Sequence, residues 1–260
     1  MNPVLSDILK TQAVQTACGQ TIPVPLHSHV SQEEGIFLQR MIRETMPKQS
    51  IEVGLAYGIS ALYICEAMAE VDAERHTIID ALQSTHYSGT GLANLKRAGF
   101  APLVQFYEEY SDVCLPRLYR DGQRVQFAFI DGQHTFDYVF VDFYFIDRML
   151  DVGGVVVLDD IYLPSVTKLC RYALTNLKYE AIGPNPTPSS LRLARLVSLA
   201  ARLGSKINIG RRFIAPEARL PNVMLGIPRP HQYVALRKTG NNAIDYDNTE
   251  DRRYDFHKEF

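Results

Sequence analysis

Two groups of side chains suited to metal binding or proton transfer follow apolar runs in the middle of the chain. The run VQFAFI ends on Asp131, and His134 follows three residues later. The run GGVVVL ends on the adjacent pair Asp159 and Asp160. Adjacent carboxylates repel each other unless a positive charge lies between them, and oxygen ligands from neighbouring strand ends suit Mg²⁺. These residues predict a divalent-cation site with an imidazole beside it.

A structural role is the alternative for each of these residues. Asp159 and Asp160 could cap the helix that begins near Pro164. His134 could be a surface or capping residue, although a tight turn after Asp131 does not require a histidine. The occurrence of both groups in one chain favours the functional interpretation.

Three earlier apolar runs end on residues suited to a nucleotide. The stretch IEVGLAYGIS has Gly54 and Gly58, which allow a tight turn and a close backbone approach to a ligand. It departs from the G-x-G-x-x-G pattern, because Ala56 stands at the middle glycine position. Asp80 ends HTIID and could bind both hydroxyls of a ribose, and Ser111 in FYEEYSDVC could face an adenine. The alternatives are a turn without a ligand, a turn or capping Asp, and a Ser N-cap.

The elements that position these residues alternate along the chain. Strand patterns cover residues 50–53, 76–80, 103–107, 125–131 and 153–160, and a helical pattern follows each of them. This alternation predicts an α/β fold, with a mostly parallel, doubly wound sheet covered by helices on both faces. Ligands bind such sheets beyond the carboxyl ends of the strands, where these polar residues occur.

Composition limits the classes of partner. Apolar residues make up 46% and charged residues 22%, which is typical of a globular protein, and the net charge of -2 gives no sign of a nucleic-acid partner. The four cysteines form no cluster, so we expect reduced thiols and no zinc site. Neither a signal peptide nor an apolar run of membrane-span length occurs, and the expected location is the cytoplasm.

Taken together, these motifs resemble the class I S-adenosylmethionine-dependent methyltransferases, and more narrowly the cation-dependent small-molecule O-methyltransferases. The resemblance covers residues 31–183 and returns at QYVALRK. Catechol-type members place a Lys three residues after the metal-binding Asp, whereas Asp131 is followed by His134 here. The Asp-x-x-His spacing with a later acidic pair is closer to the bacterial macrolide-sugar type, which acts in natural-product biosynthesis. The resemblance implies a Rossmann-like sheet of seven strands with an antiparallel last strand.

The resemblance also implies a cofactor, a metal and a base. The residues implied for S-adenosylmethionine are Glu52, Gly54, Tyr57, Gly58, Ser60, Asp80, Ser111 and Asp131. Those implied for Mg²⁺ or Mn²⁺ are Asp131, Asp159 and Asp160. His134 is the implied base, which takes the proton from the hydroxyl of a small-molecule acceptor such as a sugar, another natural product or a vicinal diol. Two alternatives stay open: methyl transfer to another acceptor without a metal, and a nucleotide-binding module without turnover.

The predicted organisation is a single methyltransferase domain with additions. The domain covers residues 1–240, with an N-terminal wrap and helix at 1–46, an insertion at 184–230 between the last two strands, and a polar tail at 241–260. The insertion carries a basic, helix-like segment whose apolar stripe includes Leu196 and Val197. We expect this segment to be a solvated helix on the sheet edge, a lid or a homo-oligomer contact, and we favour membrane binding less.

Overall fold

The computed structural model of the protein describes residues 1–25, 29–184, 195–196, 198–199, 222–227 and 232–242. The chain divides into two compact units. The first comprises Met1–Gln133 and Asp137–Val156, and the second comprises His134–Phe136 and Val157–Phe260. The single domain predicted over residues 1–240 stays a prediction.

The N-terminal wrap contains regular elements that the sequence pattern does not reveal. Helix α1 (Pro3–Thr11) is followed by the antiparallel hairpin of β1 (Ala13–Gln15) and β2 (Thr21–Pro23). The Asn2 side chain accepts a hydrogen bond from the Val4 N–H at 2.9 Å and so caps α1. Only Leu5 and Ile8 of α1 are buried, and two apolar positions are too few to establish a helical period.

The remaining elements alternate as predicted. The helices are α2 (Gln32–Thr45), α3 (Ile59–Glu70), α4 (Thr90–Arg97), α5 (Ser111–Arg120), α6 (Phe136–Met149) and α7 (Pro164–Asn176). The strands are β3 (Gln49–Val53), β4 (Arg75–Ile79), β5 (Val104–Tyr107), β6 (Val125–Ile130), β7 (Leu150–Leu158), β8 (Tyr179–Gly183) and β9 (Val234–Lys238).

These seven strands form one sheet in the order β5-β4-β3-β6-β7-β9-β8. Strand β3 pairs in parallel with β4 and β6, and β4 pairs in parallel with β5. The last strand, β9, pairs with β8 in the antiparallel sense. The order reverses at β3, which creates the switch point where open α/β sheets bind ligands. The predicted seven-stranded, mostly parallel fold is confirmed.

The first unit is built around strands that are buried on both faces. All the residues of β4 after Arg75 are buried, as are five of the six residues of β6. Helix α2 begins at a capping serine, because the Ser31 Oγ accepts a hydrogen bond from the Glu34 N–H at 3.1 Å. Parallel strands covered by helices bury both faces, which explains why these runs are almost continuously apolar.

The insertion and the tail are described only in part. The structure describes Leu196, whose surface is 66% exposed, and a 3-10 helix at Asn222–Leu225. Most of the basic segment, including Val197, and the tail after Asn242 lie outside the described residues. Among the helices that the structure describes, none has the length and apolar character required to cross a bilayer.

Candidate active site

A cavity of about 380 Å³ lies at the carboxyl ends of β3, β4, β5 and β6, within the first unit. Four of the residues predicted for the cofactor line it: Gly54, Asp80, Ser111 and Asp131. Apolar side chains of Val53, Ile79 and Leu82 also line it. The cavity therefore combines apolar walls with a few polar groups, as small-molecule sites usually do.

The Asp80 carboxylate holds the glycine-containing turn after β3 in place. Its Oδ2 accepts hydrogen bonds from the backbone N–H groups of Leu55 and Ala56, both at 2.9 Å, and its Oδ1 accepts one from Leu82 at 2.7 Å. The Gln83 side chain donates a further bond to Oδ2 at 3.2 Å. Because a carboxylate has about four acceptor positions and Oδ2 uses three hydrogen bonds, the remaining capacity for a ribose hydroxyl lies on Oδ1.

The turn needs glycine at two positions because neighbouring backbone leaves no room there for a side chain. Gly54 has a φ of +94°, and a Cβ at this position would lie 2.0 Å from the carbonyl oxygen of Asp131. Gly58 has a φ of +80°, and its Cβ would lie 2.9 Å from the carbonyl oxygen of Gly91. Any side chain would therefore push the turn away from β6 and α4. Gly54 lines the cavity, whereas Gly58 lies against α4 and is not among the lining residues.

Glu52 and Ser60, both predicted for the cofactor, belong to a buried network instead of the cavity wall. Glu52 has no exposed surface, and its carboxylate bonds to the Ser60 hydroxyl at 2.5 Å and to the His76 Nε2 at 2.8 Å. The other ring nitrogen of His76 lies 2.7 Å from the Ser50 hydroxyl. The network joins β3, β4 and α3 behind the turn and supports it, and the cofactor contact predicted for Glu52 and Ser60 stays a prediction.

Tyrosine side chains form a part of the site that the sequence analysis missed. Tyr87, Tyr110 and Tyr138 line the cavity. The ring of Tyr57 lies edge-on to that of Tyr87, with centroids 5.3 Å apart, so Tyr57 supports a lining residue without being one. Burial and then the charge of Asp80 raise the pKa of the Tyr87 hydroxyl, which therefore keeps its proton. The positions of Tyr87 and Tyr110 in loops after strands were the only signal for these two in the sequence, whereas Tyr138 lies in the first turn of α6.

Ser111 is not the N-cap of α5. The N-cap is Tyr110, which makes no capping bond with its side chain, and Ser111 is the first helical residue. The alternative interpretation of Ser111 as a capping residue is therefore wrong, and its side chain belongs to the cavity wall.

In the second unit, the predicted base contacts one of the predicted metal ligands. The Nε2 of His134 lies 3.0 Å from the Oδ2 of Asp160, and both side chains are partly exposed. The Ser165 hydroxyl donates a hydrogen bond to the carbonyl oxygen of His134 at 2.5 Å. A carboxylate in this position orients an imidazole and stabilises the protonated ring that forms when it accepts a proton.

The adjacent acids Asp159 and Asp160 differ in their contacts. The Asp159 Oδ1 accepts a hydrogen bond from the backbone N–H of Asp160 at 2.7 Å. Asp160 has a φ of +52°, in the left-handed region that Asp tolerates better than most residues. The N-cap of α7 is Leu163, without a capping side chain, so the capping interpretation of the acidic pair is wrong.

Comparisons with known proteins agree with this architecture. Residues 51–161 match the family described as "Methyltransferase domain". The tapetum-specific methyltransferase 1 of Arabidopsis thaliana is 30% identical over 132 residues, which is 49% of this chain and 53% of that protein. The caffeoyl-CoA O-methyltransferase of Stellaria longipes is 30% identical over 132 residues, which is 48% of this chain and 51% of that protein. This chain thus spans about half the length of the curated relatives it matches.

Solved structures of O-methyltransferases share the fold. The O-methyltransferase from Bacillus cereus, in complex with SAH, superposes with a TM-score of 0.55 at 17% identity, covering 71% of this chain and 86% of that one. The O-methyltransferase TomG from Streptomyces achromogenes, in complex with SAM, gives 0.54 at 19% identity, covering 71% and 84%. These findings agree with the resemblance predicted from the motifs: residues 51–161 match a methyltransferase domain, and the fold is the one that these solved O-methyltransferases share.

Proposed function

We propose that the protein is an S-adenosylmethionine-dependent O-methyltransferase that acts on a hydroxyl of a small-molecule acceptor. The observation that carries the proposal is the cavity at four adjacent strand ends, inside the segment that matches the methyltransferase domain. Its turn after β3 is held by Asp80, an acid at the position where dinucleotide-binding folds place a ribose ligand.

In this proposal the first unit binds the cofactor. Asp80 both fixes the turn and accepts a hydrogen bond from the ribose through Oδ1. Ser111 and the apolar side chains of Val53 and Ile79 surround the adenine. Asp131 completes the cavity at the end of β6. Such a site holds the methyl donor in one orientation, and alignment of the reacting atoms contributes most to the rate of a displacement reaction.

His134 is the proposed general base. When bound, S-adenosylmethionine would supply an electrophilic methyl group, whose bond to the sulfonium sulfur would break as the acceptor oxygen bonds to the methyl carbon. The hydroxyl proton passes to the imidazole, which Asp160 orients at 3.0 Å.

Asp131, Asp159 and Asp160 are the proposed ligands of a divalent cation. Carboxylate oxygens are the donors that Mg²⁺ and Mn²⁺ prefer, so the chemistry of the donor set fits these ions. When bound, the cation would supply Lewis acidity that lowers the pKa of an acceptor hydroxyl. A sugar, a natural product or a vicinal diol of the catechol type provides adjacent oxygens for such an ion.

Methyl transfer without a cation is the second candidate. The observation that favours it is the direct contact between His134 and Asp160, which is the arrangement of an imidazole base and its orienting carboxylate. In this case the acidic pair serves the base and the turn before α7.

One set of measurements separates these candidates. Titration calorimetry with S-adenosylhomocysteine should show binding, and methyl transfer to a panel of sugars and catechols should show turnover. Turnover that stops with excess EDTA and returns with Mg²⁺ or Mn²⁺ supports the cation, whereas full turnover in EDTA supports the second candidate. Binding without transfer to any acceptor would leave a nucleotide-binding module.

The proposal also includes the location of the enzyme and its macromolecular partners. We propose that the enzyme has no nucleic-acid partner, because its net charge is only -2. The cytoplasm is its proposed location. The residues at 184–230 remain the proposed homo-oligomer contact, and the exposed Leu196 supports this assignment.

A further inference from the structure

One residue of the turn after β3 has a backbone conformation that its side chain disfavours. The carbonyl oxygen of Leu55 accepts a hydrogen bond from the Gly58 N–H at 2.7 Å, so residues 55–58 form a β-turn. Of its two central residues only Ala56 has a positive φ, of +46°. Glycine dominates such positions, because a Cβ in the left-handed region lies too close to the following carbonyl oxygen. Contacts from outside the turn therefore have to hold Ala56 in this conformation.

Those contacts come from Asp80 and Gln83. The Ala56 N–H donates to the Asp80 Oδ2 at 2.9 Å. The Ala56 carbonyl oxygen accepts a hydrogen bond from the Gln83 Nε2 at 2.7 Å, and the same nitrogen lies 3.2 Å from the Asp80 Oδ2. The two peptide groups that flank Ala56 are thus bound to two side chains that are also bonded to each other. Neither peptide group can rotate without breaking a hydrogen bond.

The Gln83 side chain is buried, and only its NH₂ group is used. The residue is 1% exposed, and its Oε1 has no hydrogen-bond partner among the residues that the structure describes. The amide cannot be turned round, because Oε1 would then face two acceptors, the Ala56 oxygen and the Asp80 carboxylate. An unpaired buried oxygen destabilises a fold. The contribution of Gln83 is therefore the hydrogen bonding of its NH₂ group to Ala56 and Asp80.

These contacts reach the wall of the cavity. Ala56 lines the cavity, as do Gly54 and Asp80, whereas Gln83 lies behind the wall. A change of Ala56 to a negative φ would rotate the peptide group that joins it to Leu55 and would alter this part of the wall. Gln83 therefore influences the cavity through the conformation of Ala56.

We propose that Gln83 is a positioning residue, which acts together with Asp80 to hold Ala56 at positive φ and so keeps the cavity in the shape that binds the cofactor. This inference rests on the proposed function, because the cavity has to be the cofactor site. It has a specific consequence: the Gln83 amide is needed because residue 56 is alanine. Glycine adopts a positive φ without a steric cost, so with glycine at this position the amide should matter less.

The test measures the Kd of S-adenosylhomocysteine by titration calorimetry. Gln83→Met removes the amide, keeps an unbranched side chain of similar length, and should weaken binding by about tenfold. In an Ala56→Gly background the same substitution should weaken binding by about threefold or less. The quantity compared is the loss of affinity caused by Gln83→Met in each background. A role of Gln83 in general stability would give the same loss in both.

Gln39→Met is the matched control. Gln39 is also a buried glutamine of the first unit, and its Nε2 donates to the Glu66 Oε2 at 2.8 Å. This bond joins α2 to α3 away from the turn, so its removal should leave the affinity unchanged. If Gln83→Met does not fold, Gln83→Glu takes its place, because at about pH 8 a carboxylate of the same shape cannot donate to the Ala56 oxygen. It should show the same smaller loss in the Ala56→Gly background.

Equal losses in the two backgrounds would overturn the inference, because Gln83 would then not act through the conformation of Ala56. An unchanged affinity in Gln83→Met, or an equal loss in Gln39→Met, would also overturn it. In each of these cases wild type still binds S-adenosylhomocysteine, so the proposed function stands. Failure of wild type to bind S-adenosylhomocysteine would overturn the proposed function and the inference together.

Discussion

The Nε2 of His134 lies 3.0 Å from the Oδ2 of Asp160, so a predicted base and a predicted metal ligand are direct partners. Sequence spacing places these residues 26 positions apart and suggests no contact between them. Their contact means that a change in Asp160 also affects the orientation of the imidazole, whatever the metal requirement is. The effect of an Asp160 substitution on activity therefore has to be compared with that of a variant in which both Asp160 and His134 are changed.

We expect His134→Ala to lower kcat by about 10²–10⁴, the usual contribution of a general base. Asp160→Asn should also lower kcat, and the double variant should be no slower than His134→Ala if the two residues act as a unit. The measurement is steady-state methyl transfer for the three variants. Calorimetry with S-adenosylhomocysteine should show wild-type affinity for His134→Ala. Additive losses in the double variant would show that Asp160 acts independently of the imidazole, as a metal ligand would.

We expect Asp80→Asn to weaken binding of S-adenosylhomocysteine by roughly ten- to hundredfold. An amide has a single accepting oxygen. If this oxygen accepts the bonds from Leu55 and Ala56, the NH₂ group is turned towards the backbone N–H of Leu82, and the reverse orientation turns it towards Leu55 and Ala56. The measurement is titration calorimetry. Asp121→Asn, at an exposed position, is the control and should bind normally. Wild-type affinity in Asp80→Asn would mean that the turn does not depend on this carboxylate.

We expect Gly54→Ala to destabilise the protein more than Gly99→Ala. Both glycines have positive φ, +94° and +84°, so both substitutions carry a similar backbone cost, of about 1 kcal/mol. Only Gly54 has a backbone atom in the way: the Asp131 carbonyl oxygen would lie 2.0 Å from the new Cβ, while nothing lies within 4 Å at Gly99. Chemical denaturation of the two variants measures the difference. Equal destabilisation would show that the turn moves away from β6 at little cost.

We expect Asp142 to destabilise the fold as the pH rises from about 4 to about 7. Burial raises its pKa from 3.8 to about 7, so in this range the folded chain keeps a proton that the unfolded chain releases. The free energy of unfolding is thus highest at pH values below the pKa that Asp142 has in the unfolded chain. The loss of stability is complete at pH values above the pKa that it has in the folded chain. This penalty amounts to roughly 4 kcal/mol.

Melting temperatures of wild type and Asp142→Asn at about pH 5 and pH 8 check this sign. The fall in melting temperature between the two pH values should be smaller in the variant, which carries no titrating group at this position. An equal fall in both proteins would show that the buried carboxyl group keeps an ordinary pKa.

The sequence by itself determined the sheet and the places where its chemistry occurs. Alternating apolar strands and helical patterns imply parallel strands, and the carboxyl ends of parallel strands meet at one edge. For this reason the sequence alone places Gly54, Asp80, Ser111 and Asp131 at one end of the sheet, and all four line the cavity in the structure. Local patterns are sufficient here because Gly54, Asp80 and Asp131 each directly follow a strand, and Ser111 opens the helix that comes after β5.

Only the tertiary structure decided which polar residues face the ligand and which face the core. Glu52 lies one residue from the end of β3, yet it is fully buried, because His76 and Ser60 approach it from β4 and α3. Asp142 lies in the middle of an amphipathic helix, and no local pattern reveals that Gly132 lies against it. Periodicity shows which face a residue occupies, but the partner across that face comes from a distant part of the chain. Packing between elements decides that partner.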